Sequence, residues 1–314
     1  YLFGNLSLAL QILIWKNQWN LAMTRDLIGY GGEWPNFTWP NGTRLAVSLV
    51  LNFEEGAELQ VIDGDKKNEK IGEVLSVVED ETPDQGQAQI FAYGPRAGVW
   101  RIAQALRKYK IPATIFTCGR AANRVTNVLK MLANEGHEIA CHGWLWKPNA
   151  VYNNKEEELN DLDKATSAIY NATKKTPLGF FCRGSESPWT RQLLVKRGYF
   201  YSSNAFDDDL PYLDPTGLII VPYALDTNDM KFFHPNGFVT AKDMVDYVVD
   251  ALDVLENETK FGETRLLNIG FHLRIIGRPG RFKAFEQILE KLYSKKEKIW
   301  IARRIDIAKA FATA

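Results

Sequence analysis

The sequence predicts an α/β fold built as a single (β/α) barrel, and three observations carry that prediction. Residues 44–53 are almost continuously apolar and β-branched, the mark of a strand buried on both faces inside a parallel sheet or barrel. Strand-like and helix-like stretches then alternate, which implies parallel strands joined by helices, in a number that suits a closed or nearly closed barrel. Finally, 314 residues are enough for one large α/β domain, and no linker marks a second. The expected organisation is an N-terminal arm over 1–43 and one barrel domain over 44–314.

The arm is rich in Trp, Gly, Pro and Asn, with turns at Gly31-Gly32 and Pro40-Asn41-Gly42. The strand at 44–53 follows and ends in Glu54-Glu55-Gly56. From 57 to 92 the chain is polar and acidic without a sustained period, which predicts a long loop over one face. Gly94 and Pro95 then open a helix that runs through Leu106. Strands are expected at 112–117, 137–141, 179–182, 199–203, 218–222 and 224–225. Helices are expected between them at 123–134, ending on Glu135-Gly136, and at 155–173. A helix at 241–255, a strand at 264–271, a helix at 282–292, a strand at 299–302 and a helix at 304–311 complete the chain.

Composition removes some functions. Lys and Arg number 38 against 38 Asp and Glu, so no field is built to draw nucleic acid or an anionic membrane. Residues 1–15 are mostly apolar but too short to span a bilayer and lack a basic leader. Cys118, Cys141 and Cys182 are too few and too irregularly spaced for a disulfide framework or a CxxC metal knuckle, so buried free thiols are expected. Sequons at Asn5, Asn36, Asn41, Asn171 and Asn257 are acceptors only on a secretory route, and they tilt the reading toward a secreted or cell-wall glycoprotein.

The chemistry is expected at strand ends. Glu54, Glu55, His142, Arg183, Asp226, Asp229 and His272 all fall at such tips, and a barrel brings its C-terminal tips to one mouth. A buried strand has no structural need for two carboxylates at its end, because desolvating one costs several kcal/mol unless it is paired. Of the four histidines, His142 and His272 lie at tips, whereas His137 and His234 read as structural.

The order of these elements resembles the motifs of the polysaccharide deacetylase superfamily, the NodB homology domain or carbohydrate esterase family four. The resemblance covers about 24–312 and implies a distorted seven- or eight-stranded barrel. The strings Arg25-Asp26-Leu27-Ile28-Gly29-Tyr30-Gly31, Leu51-Asn52-Phe53-Glu54-Glu55-Gly56, Tyr93-Gly94-Pro95-Arg96-Ala97-Gly98-Val99-Trp100-Arg101, Asp226-Thr227-Asn228-Asp229-Met230 and Ile276-Gly277-Arg278-Pro279 look most like the branch of the metal-independent bacterial allantoinase and its fungal relatives. Metal-dependent members hold a divalent ion with an acid and two histidines four residues apart. By that resemblance Glu54 stands at the base position and Glu55 and His142 at two ligand positions, but Trp146 replaces the second histidine. A catalytic zinc site normally has three protein ligands, so the reading favours no required cofactor, with a weak zinc-type site as the alternative.

A metal-free route assigns Glu54 as base with a pKa raised by Glu55 and burial, His272 as acid to the leaving nitrogen, and Arg183 or His142 as oxyanion donor. Asp226 or Asp229 would orient His272. Trp144, Trp146 and Trp189 are expected to stack on a sugar ring or planar ureide, with Arg96 and Arg278 as further substrate contacts. The preferred substrate is an N-acetylglucosamine polymer such as chitin. Ring opening of a cyclic ureide or imide is the alternative, and a non-catalytic glycan binder is a third reading. The resemblance also implies a tendency to homo-oligomerise.

Overall fold

The structure, a computed structural model, describes residues 26–314. The apolar stretch 1–15, the sequon at Asn5 and the first residue of the Arg25–Gly31 string lie outside the described residues.

Nine strands make one sheet among the described residues. They are β1 (Leu45–Phe53), β2 (Thr114–Thr117), β3 (Glu138–Cys141), β4 (Gly179–Phe180), β5 (Tyr201–Ser202), β6 (Tyr212–Leu213), β7 (Ile219–Ile220), β8 (Arg265–His272) and β9 (Trp300–Ile301). The hydrogen-bonded path is β6-β7-β5-β4-β3-β2-β1-β8, with β9 pairing the start of β1. Every pairing is parallel except β6 with β7. Past β7 the chain crosses to the far edge, where the Gly270 amide donates to the Thr227 carbonyl and Asn228 bridges Gly270 in parallel. That single bridge stands where a strand at 224–225 was expected, and it draws the sheet's two ends together into a distorted (β/α) barrel.

Helices cover the outside: α1 (Gln85–Tyr93), α2 (Val99–Tyr109), α3 (Gly119–Arg124), α4 (Thr126–Asn134), α5 (Lys155–Thr173), α6 (Thr190–Lys196), α7 (Ala241–Thr259), α8 (Leu273–Ile276), α9 (Pro279–Ser294) and α10 (Arg304–Phe311). α1 corrects the expected loop, because the Asp84 side chain accepts from the Gln87 amide and caps a helix whose weak apolar periodicity hides it. Between α1 and α2, Gly94–Gly98 forms one turn of π-helix, a form often found at functional sites.

Side-chain alternation sorts each strand into two layers. Leu45, Val47, Leu49, Leu51 and Phe53 of β1 join the apolar layer against the helices, together with Leu267, Ile269 and Phe271 of β8. The other parity, Ala46, Val50, Phe116, Ala140, Phe181, Tyr201, Tyr223 and Leu266, fills the barrel. Arg304 closes the lower end, donating to Ser203, Asn268 and the Val221 and Pro222 carbonyls. Trp39 of the arm packs there too, its indole N–H bound to the Arg265 carbonyl at 3.1 Å. Continuing the inward parity upward from Asn52 leads to Glu54, from Ala140 to His142, and from Gly270 to His272.

Gly270 shows how tightly this interior is filled. A Cβ there would collide with the Tyr223 hydroxyl and lie 2.5 Å from the Asn228 amide nitrogen. Gly270→Ala is expected to destabilise the fold by about 1–3 kcal/mol through overpacking. Gly280→Ala, where a Cβ meets nothing within 4 Å, is expected to cost none, and denaturant melts of the two variants check the difference.

Candidate active site

Strand register brings the acidic pair and both tip histidines to one level. Asn52 of β1 pairs His272 of β8, Phe53 pairs Thr117 of β2, and Thr117 pairs Cys141 of β3, so Glu54, His142 and His272 meet at the C-terminal mouth. Left-handed turns at Gly56 (φ 93°) and Gly143 (φ 75°) release the chain just past these tips, a backbone state that glycine adopts without strain.

Glu54 is the hub. Its Oε1 lies 3.2 Å from His272 Nε2 and 3.4 Å from His142 Nε2, and its Oε2 accepts from Arg274 Nη1 at 2.6 Å. Asp229 holds His272 from behind, with Oδ1 at 2.6 Å from Nδ1 and Oδ2 accepting the His272 backbone N–H at 2.8 Å. His142 Nδ1 lies 2.5 Å from the Phe181 carbonyl, which fixes the proton on Nδ1 and turns Nε2 toward Glu54. The Phe181 ring stacks on His142 at 5.1 Å and on Tyr223 at 4.5 Å between centroids, and Asn52 donates to the Tyr223 hydroxyl at 2.9 Å.

Glu55 points into the scaffold. Its Oε1 accepts the Arg274 backbone N–H at 2.9 Å and its Oε2 the Glu54 N–H at 3.2 Å. Gly94 of the π-turn packs against this carboxylate, where a Cβ would sit 2.5 Å from Oε1. The whole cluster is enclosed: Glu54 is 1 %, Glu55 0 %, His142 1 %, His272 4 % and Arg274 1 % exposed.

These contacts reverse the shift expected for Glu54. Burial alone would raise Glu54, but the imidazolium of His272 and the guanidinium of Arg274 hold it well below the usual carboxylate range. Burial instead pushes Glu55 up to about 7, against the pull of Arg274 and with help from Glu54. For His272, burial opposes the charge, yet Glu54 and Asp229 outweigh it and raise the imidazole to about 9. The expectation of a raised Glu54 fails because Arg274 and His272 were left out of its surroundings.

A roof covers the cluster. The Trp146 backbone N–H donates to the Ala57 carbonyl, and its ring lies 5.0 Å from the Arg274 guanidinium and 3.8 Å from that of Arg183. Arg183 in turn pairs with Glu69 at 2.6 Å. Arg120 pairs with Asp65 at 2.8 Å, Arg124 with Asp63 at 2.6 Å and Arg281 with Glu73 at 2.7 Å. The polar excursion after the acidic pair thus lies over the site face, as the sequence predicted.

Several expected site residues belong elsewhere. Arg183 is engaged by Glu69 in the roof. Asp226 is exposed and accepts from the Tyr247 hydroxyl at 3.3 Å, so Asp229 is the partner of His272. Trp144 and Trp189 pack against the helix-side apolar layer, and only Trp146 of the three indoles borders the cluster. Arg96 is exposed on the π-turn. Arg278 lies 3.7 Å over the Tyr93 ring and 3.5 Å from Glu73, tying the roof to the body. Cys118, Cys141 and Cys182 are buried free thiols as expected. Asn36, Asn41, Asn171 and Asn257 are exposed. No helix among the described residues is long and apolar enough to cross a membrane.

Arg274 was missed, although the sequence carried its signal. It is the one charge inside the run from Phe271 to Ile276 apart from His272, and a charge embedded in an apolar run needs a buried partner. Its presence bears on a divalent ion. No three His, Cys, Asp or Glu side chains among the described residues are placed to hold a metal ion. Trp146 offers no lone pair, both Glu55 oxygens are engaged by backbone N–H groups, and a guanidinium already lies against Glu54. The residues present do not fit such an ion.

A family model described as polysaccharide deacetylase matches residues 79–201. The chain is 32 % identical over 314 residues to a Schizosaccharomyces pombe protein named "Putative polysaccharide deacetylase", covering 92 % of this chain and 97 % of that protein. Among solved structures, one titled as a probable polysaccharide deacetylase from Pseudomonas aeruginosa PAO1 is 36 % identical with a TM-score of 0.88, covering 93 % of this chain and 98 % of that one. A structure titled Puue Allantoinase is likewise 36 % identical, with a TM-score of 0.87 and the same coverage.

Proposed function

The chain belongs to the polysaccharide deacetylase family, and from that premise we propose that its barrel mouth hydrolyses the amide C–N bond of a small cyclic amide, a ureide or imide, without a metal. The observation that carries this choice is enclosure. Every group of the Glu54 cluster is at most 4 % exposed beneath the roof, which suits a compact substrate that is swallowed whole. N-deacetylation of an N-acetylglucosamine polymer such as chitin, preferred from the sequence, draws support from the names of the relatives. A polymer would need the whole roof moved aside to lay a chain across the mouth.

In the proposed reaction Glu54, ionised, takes a proton from water as the water oxygen adds to the amide carbonyl carbon. The tetrahedral oxyanion forms beside the positive charges of His272 and Arg274. Collapse breaks the C–N bond as His272 Nε2 gives its proton to the leaving nitrogen, with Asp229 steadying the imidazole. Glu54 and His272 stand 3.2 Å apart, so the proton gained by the base returns to the acid and the cycle closes.

An alkaline limb follows. Because His272 titrates at about 9, kcat is expected to hold through neutral pH and fall above about 9 as the acid loses its proton. The same group contributes stability that is full below its unfolded value, near 6.5, and is lost as pH rises through about 9. A pH profile with allantoin and simple cyclic imides, run beside acetate release from N-acetylglucosamine oligomers, tests both the acid and the substrate. Turnover of the oligomers alone would overturn the small-substrate reading.

A further inference from the structure

We propose that Arg274 is a built-in cation, standing beside Glu54 in the place of a divalent ion and donating to the carbonyl oxygen of the scissile amide. The inference deepens the metal-free amide hydrolysis proposed above and rests on it.

Placement comes first. Nη1 is 2.6 Å from Glu54 Oε2 and 3.6 Å from Glu55 Oε1, so one guanidinium reaches both carboxylates. Glu58, also buried, adds a third acid whose charge acts on Arg274. The second observation is the unused part of the fork. Arg274 Nε and Nη2 are buried and make no hydrogen bond among the described residues. Buried donors without partners are costly to keep, and a guanidinium presents its N–H groups in a rigid plane that matches a planar carbonyl acceptor. The flanking surfaces are aromatic, with Phe91 at 4.3 Å and Trp146 at 5.0 Å from the guanidinium carbon, so the charge is held without being neutralised there.

The third observation is the seat. Arg274 follows Leu273, whose carbonyl is approached by two glycines: a Cβ on Gly98 or on Gly277 would run into it, and a Cβ on Gly277 would also strike Gly98. Gly94 makes room for Glu55 in the same way. The π-turn Gly94–Gly98 and the turn at Gly277 are thus pressed together backbone to backbone, and between them they aim Arg274 into the mouth. The strings Tyr93–Arg101 and Ile276–Pro279 therefore have a chemical purpose, since they build the socket of this cation.

The test uses the full chain and reads metal binding as well as turnover. Co2+ is titrated into the wild type and into Arg274→Ala, followed by visible absorption. The wild type is expected to bind none at micromolar Co2+, whereas Arg274→Ala, in which Glu54 is relieved of the guanidinium and faces only His142 and His272, gains a Co2+ site, with Glu55 still held by its backbone N–H groups. Wild-type binding, or a variant that binds no better than the wild type, overturns the proposal whatever the substrate proves to be. In turnover, the wild type is expected to change less than about twofold on chelation, and Arg274→Ala to lose about 10²–10³-fold and recover in part with added guanidinium ion. Loss of wild-type activity to chelator overturns the proposal while leaving amide hydrolysis standing. Arg274→Lys keeps a cation should the alanine variant fail to fold, and is expected to exclude Co2+ as the wild type does; Co2+ binding by it overturns the proposal. Absence of turnover on every amide overturns the functional reading, and the Co2+ arm still decides the role of Arg274.

Discussion

Glu54→Gln is expected to lower kcat by about 10³–10⁴-fold while the barrel still folds. Among the described residues Glu54 is the only carboxylate that faces both tip histidines, with His272 Nε2 at 3.2 Å and His142 Nε2 at 3.4 Å from one oxygen. Glutamine keeps the shape and one acceptor oxygen but cannot take a proton from water. It also removes the charge that Arg274 and His272 share, and breaking a buried pair on one side costs about 3–5 kcal/mol. His272 relieves part of that cost by shedding its proton, so its alkaline titration in the variant is expected to move down from about 9. Glu54→Asp retains the charge with the carboxylate drawn back by one methylene, and a displacement of about 1 Å is worth about 10²-fold in rate. Single-turnover rates and thermal melts on both variants separate chemistry from folding. A Glu54→Gln enzyme working at more than a few per cent of the wild-type rate would sink the assignment of the base.

Asp229→Asn and His272→Gln are each expected to cost about 10²–10⁴-fold, and the double variant no more than the worse single one. The two side chains act as a unit: Asp229 grips both the backbone N–H and Nδ1 of His272 at 2.8 and 2.6 Å. Asparagine fills the same space but offers Nδ1 no charge, which lowers the imidazolium's share of the site and shifts the alkaline limb toward neutral pH. Multiplicative losses in a double-mutant cycle would show the pair acting independently and overturn the dyad.

The barrel was legible because its strands are encoded by burial. β1 is apolar along its length since helices cover one face and the filled barrel the other. The Glu54-Glu55 tip and His142 and His272 stood out because charge or imidazole at the end of a buried strand has few structural explanations. What was hidden depends on tertiary pairing. Arg183 and Asp226 carry the right chemistry at the right strand ends, yet Glu69 and Tyr247, distant in sequence, draw them away. Arg274 escaped for the opposite reason, since its neighbours in sequence are apolar and only the fold brings Glu54 beside it. α6 and β6 are too short to leave a periodic pattern, and 224–225 has strand composition but only reaches β8 through Asn228.

The fastening of the roof has a kinetic consequence. The pairs Arg183–Glu69, Arg120–Asp65, Arg124–Asp63 and Arg281–Glu73 clasp it at several points along the rim, each in partial contact with solvent. Such latches are individually weak, each about 0–1 kcal/mol, and salt screens them over a length of about 8–10 Å. An enclosed site must open to admit substrate and release product, so turnover is expected to rise with ionic strength as these pairs are screened, and kcat measured across a salt series checks it. The buried charges beneath are shielded from the same salt, so the door responds to the medium while the chemistry behind it does not.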